Sequence, residues 1–127
     1  MGDQQVDAYY NMGVAYGCME ENGIDALHKA VWVFKKSIDI NEEFIHSYTA
    51  LGASYIKQNE LELAIQVLTR ALGVDPEDSN VSYYLGIAHR MNMQFPQAVD
   101  YMRQAVALKP DSVQVQFYFG LSLMDIE

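Results

Sequence analysis

The chain has 127 residues, half of them apolar, and a net charge of −9, which leaves room for one compact domain or a short repeat array and argues against disorder. So acidic a chain, whose only adjacent cations are Lys35 and Lys36, is poorly matched to nucleic acid or to anionic membrane surfaces. No apolar run reaches the roughly 18 residues that span a bilayer, no leader pattern opens the sequence, and the lone Cys18, unable to close an internal disulfide, points to a reducing, cytoplasmic compartment.

The first predicted element is a helix carrying Tyr9, Gly13 and Tyr16. "CMEENGID" (18–25) follows as a loop, with Glu20 and Glu21 solvated and Asn22-Gly23 as its turn signal. A second helix places Ala30, Val31, Phe34 and Ile38 at helical spacing. The third carries Tyr48, Leu51, Gly52 and Tyr55; the fourth, over 63–72, has Ala64, Ile65, Leu68, Ala71 and Leu72 on one face. "ALGVDPEDS" (71–79) then ends one helix and starts another, since proline stops the first and Asp or Ser caps the next. The fifth helix repeats Leu-Gly at Leu85-Gly86. The sixth, 97–108, repeats the apolar face at Ala98, Val99, Met102, Ala105 and Val106, with Pro96 in its first turn. "AVALKPDS" (105–112) repeats the turn, and 113–127 forms a last helix. Period-two alternation is sustained nowhere, so the fold class is all-α.

These elements recur at 34 residues. Leu51, Gly52, Ala64, Ala71 and Pro76 become Leu85, Gly86, Ala98, Ala105 and Pro110. The first unit fits after allowing five extra residues between Tyr16 and Ala30. The division is 6–44, 45–78, 79–112 and a single helix 113–127, together one domain over 1–127. Gly13, Gly52, Gly86 and Gly120 lie inside helices, where glycine costs roughly 1 kcal/mol against alanine. Their register predicts close helix packing, with Ala30, Ala64 and Ala98 as the facing small residues and Ala71 and Ala105 between units.

Leu-Gly, then an aromatic three residues on, then Ala, Ala and Pro at this period resembles the tetratricopeptide repeat family. Units two and three match closely. Unit one departs through its insertion, Ser37 in place of the second alanine and Glu42 in place of the proline; unit three has His89 where an aromatic is usual. The resemblance implies a right-handed α-solenoid of about three helix-turn-helix units plus the C-terminal helix. First helices would line the concave face. It further implies a non-enzymatic protein–protein interaction module that binds a partner peptide or helix in the groove. The groove residues so implied are Tyr10 and Val14; Thr49 and Lys57; Tyr83, Ile87 and Arg90; and Phe117 and Leu121, with His46, Asn80 and Gln114 on a polar rim. Lys57 and Arg90 would hold an acidic group beside apolar anchors. Some relatives clamp a C-terminal carboxylate with Lys, Asn, Asn, Lys and Arg. The matching positions here are Tyr10, Val14, Ala50, Asn80 and Tyr84, so that mode is not expected.

No cofactor and no metal site is indicated: His28, His46 and His89 fall on separate helices without i, i+4 pairing. His89 takes a packing position. Cys18 has no base nearby in sequence, and there is no glycine-rich phosphate loop, so an enzyme is not expected. "FYFGLSLMDIE" (117–127) is apolar around most of its circumference, unlike a capping helix. It expects a second partner, either a continuation of a longer array or another copy in a homo-oligomer.

Overall fold

The computed structural model describes residues 2–19 and 23–127, so Glu20, Glu21 and Asn22, at the centre of the expected inserted loop, lie outside the described residues. Among the described residues there are seven helices and no strand: α1 (Gly2–Gly17), α2 (Gly23–Ile40), α3 (Ile45–Lys57), α4 (Leu61–Val74), α5 (Ser79–Met91), α6 (Phe95–Leu108) and α7 (Val113–Asp125). Shifting α3 and α4 by 34 residues reproduces the bounds of α5 and α6, and shifting α5 reproduces α7. None of these helices is long and apolar enough to cross a membrane.

Each odd helix packs on the even helix after it, and each even helix on the next odd one. Consecutive odd helices also come close, whereas the backbones of α2, α4 and α6 keep apart from one another. The odd helices therefore form the inner row of a curved α-solenoid and the even helices its outer row. One apolar core runs through Phe34, Ile38, Tyr48, Leu51, Leu68 and Leu85; a second cluster around Met102 and Val115 joins α5, α6 and α7.

The glycines do allow close packing, but the expected partners are corrected. A Cβ on Gly52 would lie 2.6 Å from Leu68 Cγ, one on Gly86 2.7 Å from Met102 Cε, and one on Gly13 2.6 Å from Phe34 Cζ. Each glycine is a socket for one large side chain of the following helix. Ala30, Ala64, Ala71, Ala98 and Ala105 are fully buried, but the atoms nearest the glycines are those of Phe34, Leu68 and Met102. Gly120 faces open space.

The turns repeat as closely as the helices. Asn59 and Met93, 34 residues apart, both take a left-handed backbone at φ 60°, and the amides of Glu60 and Gln94 donate to the carbonyls of Tyr55 and His89 at 2.8 Å. Asparagine tolerates that conformation; methionine does not, and Met93 is 75% exposed with no packing to offset the strain. Met93→Asn is expected to stabilise the fold by about 1 kcal/mol, read as a rise in urea midpoint with an unchanged slope.

Candidate functional site

The inner row gathers aromatic rings. At its α1 end Tyr10 packs 6.0 Å from Phe34, 5.4 Å from Phe44 and 6.1 Å from His46, and Phe44 meets His46 edge-on at 5.4 Å. Towards α7, Tyr83 meets Tyr84 at 5.3 Å and Tyr118 at 5.7 Å, and Tyr118 meets Phe117 at 5.5 Å. Burial is the main reason the Tyr84 hydroxyl titrates above the ordinary tyrosine value, and Tyr10 adds to it. Burial also raises Tyr83, with Tyr118 and Tyr84 adding and Gln114 opposing. These two hydroxyls are thus held neutral.

Local sequence explains how Phe44 joins these rings. Phe44, Asp78 and Ser112 occupy equivalent positions, each just before an odd helix. Asp78 Oδ1 accepts from the amides of Asn80 at 2.9 Å and Val81 at 3.1 Å, and Ser112 Oγ accepts from Val115 at 3.3 Å. Phe44 has no side chain that can do this, so α3 starts without a side-chain cap, a loss typically of about 1 kcal/mol. In exchange the position supplies an aromatic ring to the inner face.

Between α1 and α3 the groove deepens into a hollow of about 170 Å³, floored by Phe34, Ala50 and Ala53 and rimmed by Val14, Cys18 and Lys57. Gly13 and Gly17 keep the α1 wall low. Cys18 is an exposed free thiol.

The twelve sequence-derived positions all lie on inner-row helices, but they divide into two groups. Val14, His46, Lys57, Asn80, Gln114 and Phe117 are exposed; Tyr10, Ile87, Arg90 and Leu121 are half-buried. Thr49 and Tyr83 are buried between adjacent helices. The Thr49 hydroxyl donates to the His46 carbonyl at 3.0 Å, and Tyr83 belongs to the α5–α7 core. Arg90 is not waiting for an acidic ligand: its Nε donates to Asp125 Oδ2 at 2.6 Å and ties α5 to α7. Lys57 has no carboxylate partner among the described residues. His89 packs as expected, stacked on Tyr101 with centroids 5.3 Å apart and Nδ1 2.7 Å from Gln94 Oε1. Phe44, Tyr84 and Tyr118 were not among the expected groove residues.

With this geometry in view, a sequence model of the tetratricopeptide repeat family matches residues 49–123, more than half of the chain. No curated protein sequence matches. Among solved structures, the chain is similar to the Arabidopsis OM64 TPR domain (TM-score 0.83, 18% identity, covering 96% of this chain and 97% of that one). It is similar to the second TPR domain of human RPAP3, solved in complex with the HSP70 peptide SGPTIEEVD (TM-score 0.85, 16% identity, covering 96% and 98%). It also resembles MamA 41-end from Desulfovibrio magneticus RS-1 (TM-score 0.78, 24% identity), covering 94% of this chain and 64% of that one. At these identities the likeness is one of fold.

Proposed function

Because the chain belongs to the tetratricopeptide repeat family, we propose that it is a non-enzymatic interaction module that holds a partner peptide or helix in its inner groove. The observation that carries this reading is the two clusters of rings on the inner row, Tyr10 with Phe44 and His46, and Tyr83 with Tyr84, Tyr118 and Phe117, together with a hollow rimmed by Val14 and Lys57. Phe117 stands 60% exposed and Val14 42%. Exposed apolar surface of this kind supports a contact site, and a groove of helices suits an extended or helical segment with spaced apolar anchors.

The charge pattern narrows the ligand. The RPAP3 neighbour was solved with a peptide that is acidic near its end. Here Arg90 is spent on Asp125, and the positions of a carboxylate clamp carry Tyr10, Val14, Ala50, Asn80 and Tyr84. An aromatic or aliphatic anchor therefore dominates recognition, with Lys57 adding at most one ionic contact.

Peptides selected by display against the protein test this. Phe117→Ala and Val14→Asp each remove exposed side chains, so circular dichroism should stay native while affinity falls about tenfold or more. Unchanged affinity in both variants would move the binding surface off the inner row.

A second reading, self-association through the last helix, rests on Val113 and Met124 of α7 and on Ile126 just after it, which are 83%, 69% and 50% exposed. Sedimentation across a concentration series, with Met124→Lys as control, distinguishes it: a strict monomer removes this reading.

A further inference from the structure

The outer row carries a second opening that the repeat itself helps to interpret. Since the backbones of α2, α4 and α6 keep apart, side chains alone decide how far each of the α2–α4 and α4–α6 junctions is filled. Tyr101, from α6, stacks on His89 of α5 with rings 5.3 Å apart and 10° from parallel. The residues 34 positions earlier are Val67 and Tyr55. Valine has no ring to lay on Tyr55 as Tyr101 lies on His89, and a cleft of about 330 Å³ remains over Tyr55 between α2 and α4, at the small end of the roughly 300–1,000 Å³ usual for ligand pockets.

Charge also separates the two gaps. Lys35 on α2 and Arg70 on α4 line the open cleft, with Asp39 as its one carboxylate. Their counterparts across the period are the neutral Thr69 and Gln104. Lys35 Nζ lies 5.9 Å from the Tyr55 ring centre and the Arg70 guanidinium 5.4 Å from that of Tyr48. Among the described residues neither cation is in an ion pair. In a chain of net charge −9, an apolar cleft with a cation on each wall is the exception. Arg70 also lines a neighbouring hollow that holds Glu42, Glu43 and Asp75, without an ion pair to any of them.

We propose that the α2–α4 cleft is a second docking site, which takes one aromatic side chain of an acidic partner segment. The partner's ring enters beside Tyr55, as Tyr101 enters beside His89, and its flanking carboxylates meet Lys35 and Arg70. Lys35 is exposed, and its contact with the Tyr55 ring is of the weak kind made by solvated cations, so it swings aside to pair with a carboxylate. The site lies on the opposite side from the inner groove and shares no lining residue with the hollow there.

The test is a titration of the full chain with the capped peptide EDFED, followed by 15N-resolved amide shifts. Shifts centred on Lys35, Tyr55 and Arg70 are expected, with binding weakened about tenfold or more when leucine or alanine replaces the phenylalanine. Val67→Tyr fills the cleft from within and should abolish binding; Lys35→Glu with Arg70→Glu, both at the surface, should do so without touching the core. Phe117→Ala should leave it unchanged. The proposal is overturned by an absence of shifts up to about 1 mM peptide, by equal binding of KKFKK, or by shifts confined to Val14 and Lys57. Self-association that Val67→Tyr abolishes would overturn the assigned occupant in favour of a second copy.

Discussion

Gly52→Ala destabilises the protein by about 1–3 kcal/mol, while Gly120→Ala stabilises it by up to about 1 kcal/mol. The substitution is the same and the positions are equivalent, so the difference comes from what faces them. A new methyl at Gly52 meets Leu68 Cγ and Cδ2, both at 2.6 Å. Cγ is the branch point of a fully buried side chain and cannot swing clear without dragging both methyls out of the core. At Gly13 the obstacle is the Phe34 ring, which is rigid, so a loss of similar size is expected. At Gly86 the nearest atoms belong to Met102, whose unbranched chain bends more cheaply, and the loss should be the smallest of the three. At Gly120 nothing lies within 4 Å, and only the helix preference of alanine remains. Guanidinium unfolding of the four variants provides the check. Equal losses at all four would mean that glycine acts through the backbone and not through these sockets.

Ser37→Ala should cost about 1–3 kcal/mol, the range for a buried hydroxyl left without its partner. The Ser47 hydroxyl donates to Ser37 Oγ at 2.6 Å, and Ser37 Oγ donates in turn to the Val6 carbonyl at 3.4 Å; both serines are fully buried. The chain solves the same packing problem twice more without polar groups, with Ala71 and Val81, then with Ala105 and Val115. Ser37→Ala combined with Ser47→Val therefore installs at the first junction an apolar pair that the protein already uses, and should bring stability back to within about 1 kcal/mol of the original. A double-mutant cycle measured by urea unfolding reads the coupling. A double variant as unstable as Ser37→Ala alone would show that the hydroxyls position α1 in a way that apolar packing does not replace.

The fold was legible because small and large residues return in step. Leu-Gly, the buried alanines and the two prolines announce the period directly, and the helix bounds follow it residue for residue. What the glycines receive was harder to read. Small residues opposite small residues is the simplest guess, but a missing side chain is also a hole, and Phe34, Leu68 and Met102 fill it. Those three share the same period and can be found once a hole is looked for. The groove was legible by face and less so by depth. Thr49 and Tyr83 sit on the expected side of their helices, but neighbouring inner helices touch there and close over them. Phe44 escaped notice because it precedes its helix; the available signal was an aromatic at a position where Asp78 and Ser112 serve as caps. Arg90 could not be judged without α7, since its partner Asp125 is 35 positions away.

The separation of the outer helices' backbones has a mechanical consequence. Stiffness at each outer junction is set by the side chains packed there. The stacked His89 and Tyr101 hold α6 firmly on α5, while the equivalent pair, Tyr55 and Val67, leaves a cleft at the α2–α4 junction. Under tension applied between its ends the array should yield first at the junction of α2 and α4, and a wedge placed there would squeeze the opposite face, so that the strip works as a lever with its fulcrum at α3.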